Sequence, residues 1–236
     1  FLGLGVLDVS DPSNPTLLSM FETGGQALSI DVSGNTAVVA NRLSGLEIVD
    51  ISQPTAPVSR GAYYTEGYAT DVVAIGTVAY VVDRPGGLSI VDLSKTGEPS
   101  AEGTHGMTER PATITASKLT AGAPGANLVG VMSTDALLEL FDVSDPTSPM
   151  PLSTYRHPER PPLGQNIASP RTILNGSLAF ITDANPPFLI QAVDFSDVNS
   201  PEFVASYDLS GSPTYISISD SFVFLVVKNL KPEEDG

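Results

Sequence analysis

No cysteine occurs in the sequence. That excludes disulfides, cysteine-ligated zinc, iron–sulfur clusters and thiol nucleophiles. Tryptophan is also absent, and there are only two histidines, His105 and His157. Basic residues are scarce: 11 Lys and Arg stand against 27 Asp and Glu, a formal net charge of −16. A phosphate backbone or an anionic membrane surface is repelled by such a chain on average, so neither nucleic acid nor membrane insertion is expected among its partners. No run of about 18 apolar residues is present, so no stretch reads as a membrane-spanning helix. Charged residues make up only 16% of the chain, too few to solvate the outer faces of many long helices.

What is plentiful points elsewhere. The 236 residues include 21 Gly and 20 Pro, with 41% hydrophobic residues. A core of useful size is available, and the composition suits many short strands joined by tight turns. The chain opens with Phe1-Leu2-Gly3 and directly enters strand-like sequence. It reads as a mature or excised piece without a signal peptide.

Internal repetition organises the chain. An Asp ends an apolar stretch and is followed by x-Ser at Asp8, Asp50, Asp92, Asp142 and Asp194, and a proline stands seven residues after each. The Asp residues are spaced 42, 42, 50 and 52 residues apart. Apolar residues precede each Asp at −4, −2 and −1, as in Leu46-Glu47-Ile48-Val49, which reads as a packed strand. The segment after it must be a loop, because Asp and Ser side chains bond nearby backbone N–H groups and proline cannot continue a ladder. Each unit also holds a strand such as Pro57 to Tyr64, one such as Tyr68 to Ala74, and, after a Gly turn, one such as Val78 to Val82. Four antiparallel strands per 42–52 residues match a β-propeller blade. The repeated aspartates fall one to each blade, so they are expected to stabilise turns rather than gather into a metal or catalytic site. Asn175-Gly176-Ser177 reads as a hairpin turn in preference to a glycosylation acceptor.

Segments such as Gly45-Leu46-Glu47-Ile48-Val49-Asp50-Ile51-Ser52 and Gly87-Leu88-Ser89-Ile90-Val91-Asp92-Leu93-Ser94 resemble the LVIVD repeat of bacterial and archaeal propeller proteins. The resemblance implies an all-β propeller in an exported or surface protein, extracellular, cell-surface or periplasmic. It supplies no shared catalytic motif.

The chain starts with a third and a fourth strand (Leu4 to Asp8, Leu17 to Phe21) and ends with a first and a second (Thr214 to Ser219, Ser221 to Val227). Joined, these halves would close a fifth blade; a segment of a larger ring is the competing reading. On this view residues 1–229 are the propeller and 230–236 an acidic tail. Two insertions, Lys118 to Gly125 and Arg156 to Pro170, lengthen the later repeats.

In a propeller, the loops from fourth strand to first and from second to third share the face around the channel mouth. Seven of the eleven basic residues fall in or beside these loops, which makes an anion site there worth considering. Arg42, Arg84 and Arg171, with Glu66 and Tyr68, are the candidate ligand-binding residues. The plainer reading of each Arg is pairing with a nearby carboxylate. Asp83, Asp135 and Asp183 are weak candidates for holding Ca²⁺ through oxygen ligands, although no cofactor is expected. If the mouth is catalytic, His105, His157, Asp83 and Asp183 are the acid–base candidates, in a hydrolase or lyase acting on an anionic small molecule. The first reading is a non-catalytic binding or assembly module whose partner is a protein or a small anionic ligand at the loop face. A third is a structural segment of a large surface or filament assembly.

Overall fold

The computed structural model describes residues 3–95, 99–107, 111–118, 127–134, 137–156, 170–183, 186, 188–219 and 221–228. His157, Asp135, the Lys118 to Gly125 insertion beyond Lys118, the second insertion from 157 to 169 and the acidic tail lie outside them. Every described element is a strand: β1 Gly3–Asp8, β2 Thr16–Glu22, β3 Ser29–Ser33, β4 Thr36–Ala40, β5 Leu46–Asp50, β6 Val58–Tyr63, β7 Tyr68–Ile75, β8 Val78–Arg84, β9 Gly87–Asp92, β10 Ser100–His105, β11 Pro111–Lys118, β12 Asn127–Ser133, β13 Leu138–Asp142, β14 Met150–Tyr155, β15 Arg171–Asn175, β16 Leu178–Asp183, β17 Leu189–Asp194, β18 Glu202–Asp208, β19 Ser212–Ser219 and β20 Phe222–Lys228. Consecutive strands pair into four antiparallel four-stranded sheets, β3–β6, β7–β10, β11–β14 and β15–β18. These are the blades of an all-β propeller fold. β1 pairs with β2 in one two-stranded sheet and β19 with β20 in another. The chain divides into two compact units, residues 1–114 and 115–236, with the boundary inside β11.

The apolar positions before Asp50, Asp92 and Asp142 form the core, whereas Leu7 before Asp8 is exposed. In the first unit Leu46, Ile48, Val49, Val81 and Val91 are buried, and Val38, Ala69 and Val72 pack into the same cluster. In the second unit Leu138, Leu140, Ile181 and Val193 pack with Tyr155 and Phe195, whose rings meet edge-to-face at 6.5 Å. Truncating one such Leu to Ala is expected to cost about 2–5 kcal/mol.

All five aspartates of the repeat do what the spacing predicts. Oδ1 of Asp8, Asp50, Asp92, Asp142 and Asp194 accepts the backbone N–H of Ser10, Ser52, Ser94, Ser144 and Ser196 at 2.7–2.9 Å. A second turn follows, in which Asp11, Asp145 and Asp197 accept from the N–H of Ser13, Thr147 and Asn199 at 3.0 Å. The Ser10, Ser52 and Ser94 donors hold Asp8, Asp50 and Asp92 below the ordinary carboxylate value. Asn175 and Gly176 (φ +59°) lie at the tight turn joining β15 to β16, as expected of a hairpin.

The glycine that opens the repeat has a steric reason. At Gly45 (φ +70°) a Cβ would lie 2.1 Å from the Tyr63 carbonyl oxygen, and at Gly87 (φ +109°) 2.3 Å from that of His105. At Gly3 a Cβ would lie 2.1 Å from the Phe21 oxygen. The start of each third strand therefore presses against the end of the fourth. In the two later repeats this position is Leu137 and Leu189.

Inner strands of the first unit are stitched through carboxylates. Asp31 on β3 accepts the Ala74 N–H of β7 at 2.8 Å. Asp71 on β7 accepts the Ser29 hydroxyl of β3 at 2.6 Å and the Ile114 N–H of β11 at 3.0 Å. Such charge-assisted bonds to backbone donors are among the stronger ones available.

Candidate functional site

In the first unit, the loops at the mouth ends of successive blades can be compared position by position. Asn41 follows β4, and Asp83 is the penultimate residue of β8; both are buried, at 2% and 1% exposure. Ser133 and Asp183 take the corresponding places in the second unit and are buried as well. A buried polar residue thus ends the second strand of every complete blade. Buried polar side chains require partners; for Ser133 and Asp83 these come from the mouth loops, whereas Oδ1 of Asn41 is left without one. The Leu137 N–H donates to the Ser133 hydroxyl at 3.1 Å, and the Gly67 N–H to Oδ2 of Asp83 at 3.1 Å.

At Asp83 the fit is close. A Cβ on Gly67 would lie 2.2 Å from the Arg84 carbonyl oxygen and 2.7 Å from Oδ1 of Asp83, and one on Gly86 would lie 3.2 Å from Oδ2. Oδ1 itself has no hydrogen-bond partner, nor does the buried hydroxyl of Thr65. The Thr65 hydroxyl and the Glu66 N–H nevertheless act on the Asp83 carboxyl as donors and lower its pKa. Burial dominates and pushes the carboxyl above its ordinary value; the neighbouring Glu66 charge pushes the same way. The hydroxyl of Tyr63 is raised by burial and, to a lesser degree, by Glu66 and Asp83.

Arg42 and Arg84 hold equivalent sequence positions but engage different partners. Arg42 takes a left-handed backbone (φ +54°) and bridges to the next blade: its N–H donates to the Ala69 carbonyl at 3.0 Å, and the Ala69 N–H returns to the Arg42 carbonyl at 3.1 Å. Its exposed side chain lies over the Tyr68 ring, 5.8 Å from the centroid, and donates to Oε1 of Gln26 at 3.0 Å. Beside it Leu43 is 70% and Tyr64 73% exposed. One blade later, Pro111 stands where Ala69 stood and has no N–H to return. Nε of the half-buried Arg84 donates to the Pro111 carbonyl at 2.6 Å instead.

The structure therefore brings Arg42 together with Tyr68, and Asp83 together with Glu66. Exposed His105 ends β10, opposite Leu88 of β9. In the second unit, half-buried Arg171 opens β15 through backbone exchange with the Thr182 hydroxyl, while Asp183 ends β16. Among the described residues no group of three or more His, Cys, Asp or Glu could hold a metal. Leu43 and Gln26 were not picked out by the sequence, although both flank the repeated mouth positions. Also unforeseen is an open groove of about 440 Å³ in the second unit, framed by Tyr155, Arg156, Asn199 and Phe203.

Comparison with known proteins agrees with this architecture. The LVIVD repeat family matches residues 2–23, 24–65 and 66–104. No curated protein matches the sequence. A candidate 6-phosphogluconolactonase from Bacteroides uniformis is similar in structure, with a TM-score of 0.73 at 13% identity, covering 94% of this chain and 70% of that one. The computationally designed protein Ika8 gives a TM-score of 0.64 at 10% identity, over 90% of this chain and 59% of that one. Apo AztD from Citrobacter koseri gives 0.59 at 16% identity, over 83% and 50%. The chain thus spans between half and seven-tenths of these structures. At such identities the likeness is one of fold alone.

Proposed function

We propose that this chain, whose residues 2–104 are LVIVD repeats, is a non-catalytic propeller module that binds a protein or a small anionic ligand on its mouth loops. The observation that carries the reading is the surface formed by Arg42, Leu43, Tyr64 and Tyr68. Two large apolar side chains there are more than two-thirds exposed, next to a guanidinium braced by an aromatic ring. Rigid aromatics with Arg are the residue types that dominate recognition surfaces. The loop is anchored by a two-way backbone bridge, so little ordering would accompany binding. Arg42 offers the anion-binding group, whereas Arg84 is engaged with a carbonyl. A place outside the cytoplasm belongs to the same proposal and rests on the company LVIVD repeats keep.

A hydrolase reading draws on the name of one structural neighbour at 13% identity. The residues favour it less: Asp83 is buried under Gly67, away from solvent where a substrate would arrive. The deciding experiment is a thermal-shift panel of small carboxylates, phosphates and carboxylate-terminated peptides against the parent, Arg42→Ala and Tyr68→Ala proteins. The proposal expects at least one class to stabilise the parent and to lose about tenfold or more in affinity in both variants. Equal responses in parent and variants would remove Arg42 and Tyr68 from the site.

A further inference from the structure

We propose that the loop tip Arg42-Leu43 captures the free carboxylate at the end of a partner polypeptide whose last residue is apolar. The inference rests on the binding role proposed above and names the partner of that same surface. The Arg42 guanidinium and the Leu43 backbone N–H meet the carboxylate; Leu43 and Tyr64 meet the last side chain. Three observations combine. Arg42 is the only non-glycine with a positive φ (+54°) among the described residues. Glycine or asparagine holds that conformation at less cost, which points to the side chain as the reason an arginine stands there. Arg42 pairs with no carboxylate among the described residues, in a chain of 27 acids and 11 bases. And the Leu43 N–H donates to no acceptor among them, whereas its neighbours Arg42, Ser44 and Gly45 donate to the carbonyls of Ala69, Asn41 and Arg42.

Main-chain donors at a left-handed turn make anion-binding concavities, and capture of a terminal carboxylate by such donors is a recurring mode of peptide recognition. The charge favours a monoanion over a phosphate. Arg84, the equivalent guanidinium of the next blade, is engaged with the Pro111 carbonyl, and Glu66 is exposed two residues from Tyr64. The apolar part favours a polypeptide over a small acid. Leu43 and Tyr64 stand out from the surface, whereas small-molecule sites are concave and bury most of their ligand. A chain end carries its carboxylate and its last side chain on one Cα, as consecutive residues here offer the cation and the apolar surface. The next blade provides an internal control. Pro85 stands in the place of Leu43, with neither an N–H nor a large apolar side chain.

The test measures fluorescence anisotropy of rhodamine-labelled hexapeptides with the whole chain. One peptide ends in Leu with a free carboxylate, a second is the same peptide amidated, and a third ends in Ser with a free carboxylate. The first is expected to bind, and amidation or Arg42→Gln to weaken it about tenfold or more. Leu43→Ser, Tyr64→Ser and the Ser-ended peptide should each lose about threefold to tenfold. Lys95→Gln removes one exposed positive charge beside Asp92 and should change nothing. Unchanged melting temperatures show that the variants fold. Failure of the Leu-ended peptide to bind overturns the assignment, as does equal binding of its amide or of Arg42→Gln. Inorganic phosphate is the further probe. If it stabilises the parent through Arg42 while the peptide does not bind, the terminus is wrong and the anion-binding mouth stands; if neither binds, the mouth reading falls too.

Discussion

Two successive blades of the first unit, β3–β6 and β7–β10, close their mouths with the same set of positions and reach different outcomes. The first uses a backbone bridge between Arg42 and Ala69, which leaves the Arg42 guanidinium at the surface against Tyr68. The second faces Pro111, which cannot return a bond, and spends its arginine side chain on the proline carbonyl. Likewise the neutral Asn41 and the acidic Asp83 end equivalent second strands, yet only the carboxylate is left with a charge to balance. Equivalence in a repeat guarantees the same backbone path. It does not guarantee the same chemistry, because each side chain answers to a residue supplied by the next blade.

The largest test of this comparison concerns what the two blades share. Replacing Gly45 or Gly87 with Ala puts a Cβ within 2.3 Å of a carbonyl oxygen at positive φ. Each change should cost about 3 kcal/mol or more in urea unfolding. Gly34→Ala, at φ +59° with nothing within 4 Å, should cost only about 1 kcal/mol. If one of the paired glycines tolerates Ala, the blades are not built alike.

The next test concerns what they do not share. Arg84→Ala removes a charged donor from a half-buried carbonyl and should cost about 1.5–3 kcal/mol, whereas Arg42→Ala at its exposed site should cost under about 1 kcal/mol. Pro111→Ala restores the N–H that the bridge needs. In that background the Arg84→Ala penalty should shrink, and a double-mutant cycle in urea measures by how much. Additive penalties would show that Pro111 is not the reason Arg84 is diverted.

The smallest effect should be common to both blades. Asp50 and Asp92 are held below the ordinary carboxylate value of 3.8 by Ser52 and Ser94. A depressed value means that their contribution is whole above the unfolded value and disappears as pH falls through the folded one. Denaturation midpoints should therefore be flat in this respect near neutrality and decline below about pH 4. Asp50→Asn and Asp92→Asn should each flatten that acid limb to the same small degree. Unequal flattening would separate the two turns.

Much of the fold was legible because the repeat is written in residues that act locally. Asp-x-Ser followed by proline fixes a loop from its own atoms, and apolar alternation before it fixes a strand. The steric role of Gly45 and Gly87 was not legible, because the carbonyls they approach belong to the end of the fourth strand, some 18 residues on. Leu137 and Leu189 replace that glycine in the later repeats, and these lie beyond the stretch matched by the LVIVD family. For the site, the mouth loops were found but the behaviour of their side chains was not. Arg42 and Arg84 look interchangeable until Ala69 and Pro111 are set opposite them. Asp83 looks like a solvated mouth carboxylate until Gly67 folds over it. A signal was present, since Gly25 and Gly67 recur at the same 42-residue offset as Asn41 and Asp83, but its meaning depends on a contact between loops.

The carboxylates that stitch the inner strands bear on how such a protein can change its length. Asp31 reaches an amide 43 residues ahead, and Asp71 does the same. The first two complete blades therefore each carry an acid that accepts an amide from the next strand set. A block of one repeat could be duplicated or excised by recombination and still leave the new neighbours able to bond, provided the cut spares that acid. Swapping in a foreign repeat without it would leave the seam without that bond.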